Sequence, residues 1–343
     1  MSLSRVDSIN IKLWVSAIVC VCLTYLNVII YLISSHVPGL GFPCAYFEIV
    51  DLSSINMTTY NDMHTLTPQL FMTPPMTVTY VVFTMIVYTI ITAYYVACCV
   101  SVCLYSSKNT SGLNHSTKHI KCLGDIFSCL LFILCMDTFQ LFITTLSFRL
   151  PAIAAFTFCI HFLCSTFYTG TLLTQYASYE KLGALFKQNK FLSMMVTAKS
   201  VVVSTLGVNL GICCMIFSLT LFLGVGNSFY IKTANITFAS INLFMILMIF
   251  YCILIESVLH RAMKMNFGFH CGLFIGLCGL LYPTHKYESI YASEWSYTID
   301  VNLGIVGIVW IIFTICRIIR TLLPLRHRKH YKPLLDEETE PLK

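Results

Sequence analysis

Four groups of residues in this chain are of types, and at spacings, that can do chemistry. Cys44 is a thiol in the polar-punctuated stretch HVPGLGFPCAYFEIVD, residues 36–51. Asp137, Gln140 and Thr144 stand at i, i+3 and i+7 inside the apolar run CMDTFQLFITT, which puts all three on one face of a helix. Glu256, His260 and Lys264 recur every four residues. The C-terminal YKPLLDEETEPLK holds Tyr331 and Leu334 at Tyr-x-x-apolar spacing, a dileucine at Leu334 and Leu335, and the acidic run Asp336, Glu337, Glu338 and Glu340.

The chemistry open to each group is limited. The sequence contains no phosphate-binding loop, no HExxH, no GxSxG and no convergent His and carboxylate set. One Glu and one His are too few to hold a metal, so no metal or other cofactor is expected, and no nucleic-acid partner. The Glu256–Lys264 pattern reads as a solvated helix end. An ionised carboxylate at a bilayer centre costs about 2.5–3.5 kcal/mol on insertion scales. No Lys or Arg lies at matching depth, so Asp137 is expected to be protonated or bonded to a hydroxyl, fixing helix packing together with Gln140. The competing use of such a stripe is an ion or proton path, in a transporter or channel built around Asp137 and Glu256. A receptor-like signalling protein is the more distant third reading.

The elements that position these groups are membrane spans. The chain is 57% hydrophobic and only 10% charged, with a mean hydropathy of +0.79; a soluble domain carries about 25% charged residues. A span needs about 20 mainly apolar residues. Eight stretches qualify, at 13–35, 77–104, 123–148, 152–175, 200–224, 236–258, 267–283 and 301–323. The first reads as an uncleaved signal anchor, being too long for the apolar part of a cleaved signal. The third and fourth are joined only by Arg149 to Pro151, a tight helical hairpin. The expected fold is an all-α bundle of eight transmembrane helices over residues 1–323, followed by a cytoplasmic tail at 324–343.

Charge sets the orientation. With both termini cytoplasmic, 18 of the 21 basic residues lie inside, and only Arg149, Lys232 and Lys286 lie outside. Of the 17 cysteines, Cys44 is then the only one in an external loop. A lone thiol there implies an intermolecular disulfide or a reactive free thiol. The same loop, about 36–76, carries an N-glycosylation sequon at Asn56. Gly268, Gly272 and Gly276 make overlapping small-xxx-small motifs in span 7, and Gly207 and Gly211 a second such face in span 5. These faces are expected to pack within the bundle, or to receive a partner helix. The tail reads as a sorting segment for clathrin adaptors, next to a basic, lipid-headgroup-binding boundary.

The segments LNVIIYLI, LGFPCAYFEIVDL, NMTTYNDMHTLTPQLF, MDTFQLF followed by SFRLP, and GLCGLLYP occur in order along the chain. In these it resembles the glycoprotein M family of herpesviruses, most closely the betaherpesvirus branch and its roseolovirus-like forms. The resemblance implies an eight-span protein of the virion envelope. It also implies a partner, the small single-span glycoprotein N, bonded through the cysteine matching Cys44. It implies delivery of that partner to the trans-Golgi network, passage through host endosomal and nuclear membranes, and roles in virion assembly, envelopment and egress. Attachment to heparan sulfate finds little support in three external basic residues. A partner helix would then dock laterally, with the Gly-lined face of span 7 as one expected place.

Overall fold

The computed structural model describes residues 3–35, 37, 74–108, 120, 123–148, 150–186, 190–229, 231, 233–258, 266–286 and 296–322. Cys44, Asn56, His260, Lys264 and the sorting residues Tyr331, Leu334, Leu335, Asp336, Glu337, Glu338 and Glu340 lie outside them. The described regular structure is helical: α1 (Leu3–Ser35), α2 (Pro74–Lys108), α3 (Ile126–Ser147), α4 (Pro151–Phe186), α5 (Lys190–Ser228), α6 (Thr233–Ser257), α7 (Gly268–Lys286) and α8 (Ser296–Leu322). In hydrocarbon every backbone N–H and C=O must be satisfied within its own segment, so long apolar runs become helices.

Each expected span corresponds to one helix. Seven of the described helices are long and apolar enough to cross a membrane, and α7 contributes a shorter apolar stretch, Gly268–Tyr282. Several helices run past the apolar limits read from sequence. α4 continues to Phe186 and α5 begins at Lys190, because intrahelical hydrogen bonding does not stop where the hydrocarbon does. The hairpin between α3 and α4 is tight. Phe148 N–H donates to the Thr144 carbonyl at 3.1 Å, Leu150 N–H to that of Thr145 at 3.2 Å, and Pro151 opens α4, where its missing N–H costs nothing.

α5 is the central column, packed against α2, α4, α6 and α7. α1 lies across α2 and α3, α3 pairs with α4, and α8 rests on α6 and α7. Lipid tails are as apolar as leucine, so close packing, rather than exclusion from water, holds such helices together. Aromatic rings fill the joints: Phe162 of α4 stacks on Phe217 of α5 at 4.7 Å, and Phe132 of α3 on Tyr168 of α4 at 5.3 Å.

The two glycine faces found in the sequence meet each other. A Cβ on Gly211 would fall 2.6 Å from the Leu273 nitrogen, and one on Gly272 would overlap the Val208 carbonyl. Gly268 abuts Ser204 in the same way, and Gly276 faces Met215 and Phe244. The Gly-lined face of α7 is therefore filled by α5, and the docking of a partner helix there is ruled out by backbone already in place.

Candidate functional site

The segment expected to form the first external loop follows α1 in the sequence. That helix ends at Ser35, whose hydroxyl donates to the Leu32 carbonyl at 2.8 Å. Cys44 follows nine residues later in the sequence. The fifteen cysteines within the described residues are all free, and all lie on the eight helices. Cys122 lies outside the described residues, on the cytoplasmic side by the charge count.

The Asp137 stripe divides. Gln140 accepts a hydrogen bond from the Asn27 amide of α1 at 3.2 Å, and the Thr144 hydroxyl meets Tyr31 of α1 at 2.8 Å. Gln140 thus takes part in interhelical bonding. Asp137 does not: it is exposed on the outside of α3, and no hydrogen bond or ion pair reaches it from the described residues. The expected packing role within the bundle is corrected for Asp137. The cause is angular, since Asp137 sits some 60° around the helix from Gln140, on the edge where the surface of α3 turns away from α1. Leu130, Leu134 and Leu141 are exposed on the same side.

Glu256 is likewise not a solvated helix end. It is half-sealed between α6 and α8, pairing with Arg317 at 3.1 Å and Arg320 at 2.9 Å; the side chains are 12%, 1% and 53% exposed respectively. Arg320 also donates to the Glu256 carbonyl at 2.8 Å. Asp137 at mid-span on the outer surface of α3 and Glu256 at the inner end of α6 share no helix and no depth. This placement gives the ion-path reading no common route.

Two further polar constructions tie the helices together, one around His161 and one around Asp125, a residue that its place near the edge of span 3 marks in the sequence only as within reach of headgroup water. His161 of α4 is fully buried, with Nδ1 3.1 Å from the Cys135 carbonyl and 3.2 Å from the Thr138 hydroxyl, both on α3. Its Nε2 lies 3.4 Å from the Tyr80 hydroxyl of α2, which is 3.5 Å from Cys213 Sγ of α5. Four helices therefore share one polar cluster in the bundle interior. The signal available was a histidine within an apolar run, CIHFLC, since intramembrane ionisable residues face a protein interior. The second construction is at the cytoplasmic end. Asp125 caps α3, accepting from Ser128 N–H at 2.9 Å and from the Gln175 amide of α4 at 3.0 Å. Just before it, the Gly124 carbonyl accepts from the Trp14 indole of α1 at 2.7 Å, and the Leu123 carbonyl from Tyr94 of α2 at 2.7 Å.

This arrangement contains no catalytic constellation among the described residues, and no group of three metal-ligating side chains. It is a packed helical bundle with the Asp137 carboxyl exposed on its outer wall.

Comparison with known proteins places this scaffold. The family model described as herpesvirus glycoprotein M matches residues 7–334. The chain is 43% identical to envelope glycoprotein M of human herpesvirus 7 (strain JI), over 100% of this chain and 99% of that one. It is 40% identical to envelope glycoprotein M of murid herpesvirus 1 (strain K181), over 98% and 96%, and 38% identical to that of human cytomegalovirus (strain Merlin), over 89% and 82%. No solved structure matches the chain. An all-α polytopic bundle matched along nearly its whole length leaves one assignment: the chain belongs to the herpesvirus glycoprotein M family.

Proposed function

We propose that this protein is the multi-span scaffold of a disulfide-linked complex in the virion envelope, with glycoprotein N as the second subunit and Cys44 as the point of attachment. The observation that carries the reading is the full-length similarity to envelope glycoprotein M proteins, joined to the placement of cysteines. Fifteen of the 17 are free thiols on membrane helices, Cys122 faces the cytoplasm by charge, and Cys44 alone faces an oxidising compartment. Bond formation joins its sulfur to a partner sulfur. The two thiols give up two protons and two electrons to the disulfide-exchange machinery of the secretory pathway.

In this reading the eight helices hold the external loop at the membrane surface, and the tail around Tyr331 and Leu334 steers the pair to the trans-Golgi network through clathrin adaptors. There it supports virion assembly, envelopment and egress. The test is co-expression with glycoprotein N and electrophoresis with and without reductant. A heavier species that disappears on reduction, and is missing from Cys44→Ser, is the expected result. Wild type running as a monomer in both lanes would overturn the reading.

A further inference from the structure

Asp137 is the one acidic side chain on the outer wall at mid-span in α3, and the chain supplies it with no partner among the described residues. We propose that the membrane helix of the single-span subunit packs in the groove between α1 and α3, and that it carries a hydroxyl, amide or amine at mid-bilayer to hydrogen-bond the Asp137 carboxyl. The inference rests on the reading given under Proposed function and says where in the membrane that subunit sits.

Three further observations select this face. The exposed residues Leu130, Leu134, Asp137 and Leu141 are spaced by four, three and four, the alternation that a left-handed helix pair needs for a continuous seam. Asn27 of α1, also exposed, is tied to Gln140 one turn from Asp137, so the floor of the groove offers amides beside the carboxyl. Finally, α1 runs directly into the segment bearing Cys44, and nine residues span at most about 30 Å. A subunit tethered at Cys44 is thereby held near α1. By contrast, the exposed face of α8 at mid-span, with Ile305, Ile308, Ile312 and Ile315, is apolar, and its exposed carboxylate, Asp300, stands in the second turn near the helix end; lipid tails satisfy the mid-span stretch and it asks for no partner. The Gly face of α7 is filled.

The experiment uses the full chain co-expressed with glycoprotein N. A photo-activated cross-linking residue is placed at Leu134, at Leu141, or at Ile308 as control. In parallel, non-covalent co-capture in mild detergent is measured for Cys44→Ser alone and combined with Asp137→Leu or Asp137→Asn. Cross-links to the partner's membrane segment are expected from Leu134 and Leu141 and not from Ile308. Co-capture should fall about tenfold with Asp137→Leu, the scale of an interhelical hydrogen bond in a membrane, and be largely kept by Asp137→Asn. Monodisperse elution of each variant shows that it folds. An intact Cys44 disulfide with cross-links only from other faces, or co-capture indifferent to Asp137→Leu, overturns the groove and leaves the covalent reading standing. Cross-links from Leu134 and Leu141 without any disulfide overturn the covalent reading and keep the groove. Neither signal overturns both.

Discussion

Glu256 on α6 is held by two arginines of α8, with Arg317 Nη1 at 3.1 Å from one carboxylate oxygen and Arg320 Nη1 at 2.9 Å from the other. The two arms are unequal. Arg317 is sealed, and its Nε and Nη2 find no other acceptor, whereas Arg320 is open to water. Removing the carboxylate leaves a buried cation unpaired, which costs about 3–5 kcal/mol. Glu256→Gln is therefore expected to lower the thermal unfolding temperature sharply in detergent, while Arg320→Ala, at about 0–1 kcal/mol, leaves it near wild type. The double variant Glu256→Leu with Arg317→Met should recover much of the loss. Equal effects from Glu256→Gln and Arg320→Ala would contradict the asymmetry.

The seam between α5 and α7 makes a second prediction. A side chain at Gly272 meets the Val208 backbone, and one at Gly211 meets the backbone of Gly272 and Leu273, none of which can turn aside as a flexible side chain would. Overpacking costs about 1–3 kcal/mol and more where backbone must move. Gly272→Val should aggregate or unfold early, and Gly304→Ala on α8, with open space around it, should be silent. Size-exclusion profiles of the two variants, run side by side, decide the matter.

How far the sequence could be read follows from the range of each interaction. The eight helices were legible because membrane spans announce themselves as long apolar runs, and the α3–α4 hairpin because Arg149 to Pro151 leaves no room for anything else. The pairing of the glycine faces was half legible: spacing exposed both faces, but not that Gly272 and Gly211 meet. Glu256 was misread because the nearest cation in the helical pattern is Lys264, while its partners stand 61 and 64 residues on. Asp137 was placed on a common stripe with Gln140, yet a 60° difference separates a side chain bonded to α1 from one facing outward. His161 is not legible in the sequence because its partners outside α4 stand on two other helices, Cys135 and Thr138 on α3 and Tyr80 on α2.

That histidine gives a third prediction. Its ring bridges the Cys135 carbonyl and Thr138 on one side and faces Tyr80 on the other. Phe is close in shape but offers no hydrogen bond, so His161→Phe should leave the Tyr80 hydroxyl and its neighbours under-satisfied. The expected cost is about 1–2 kcal/mol, the usual scale for such bonds between membrane helices. Tyr80→Phe combined with His161→Phe should cost less than the sum of the two single changes, because each removes the other's orphan. Strictly additive melting shifts would show that the two side chains do not communicate.

The cap of α3 is a fourth. Asp125 satisfies the Ser128 N–H and Ser128 hydroxyl and holds Gln175 of α4, so one carboxylate both starts a helix and ties it to its neighbour. Asp125→Ala should cost about 1 kcal/mol for the cap alone. Asp125→Asn keeps an oxygen for the backbone and should recover most of it. Hydrogen exchange at the first turn of α3 is the measurement, with protection lost in the alanine variant and retained in the asparagine one.

The tail prediction separates sorting from assembly. Tyr331 and Leu334 follow Leu322, the last residue of α8, by nine and twelve residues in the sequence. A Tyr-x-x-apolar peptide is read as a short extended strand, which requires the aromatic ring and tolerates little at that position. Tyr331→Ala is expected to leave the reductant-sensitive heavier species at wild-type abundance while dispersing it from the Golgi region, as seen by immunofluorescence with a trans-Golgi marker. A variant that keeps its Golgi position would move the sorting function to Leu334 and Leu335 or to the acidic run from Asp336. One that loses the heavier species would instead tie the tail to folding of the complex, because a signal read only in the cytoplasm has no means of altering a disulfide formed on the other side of the membrane.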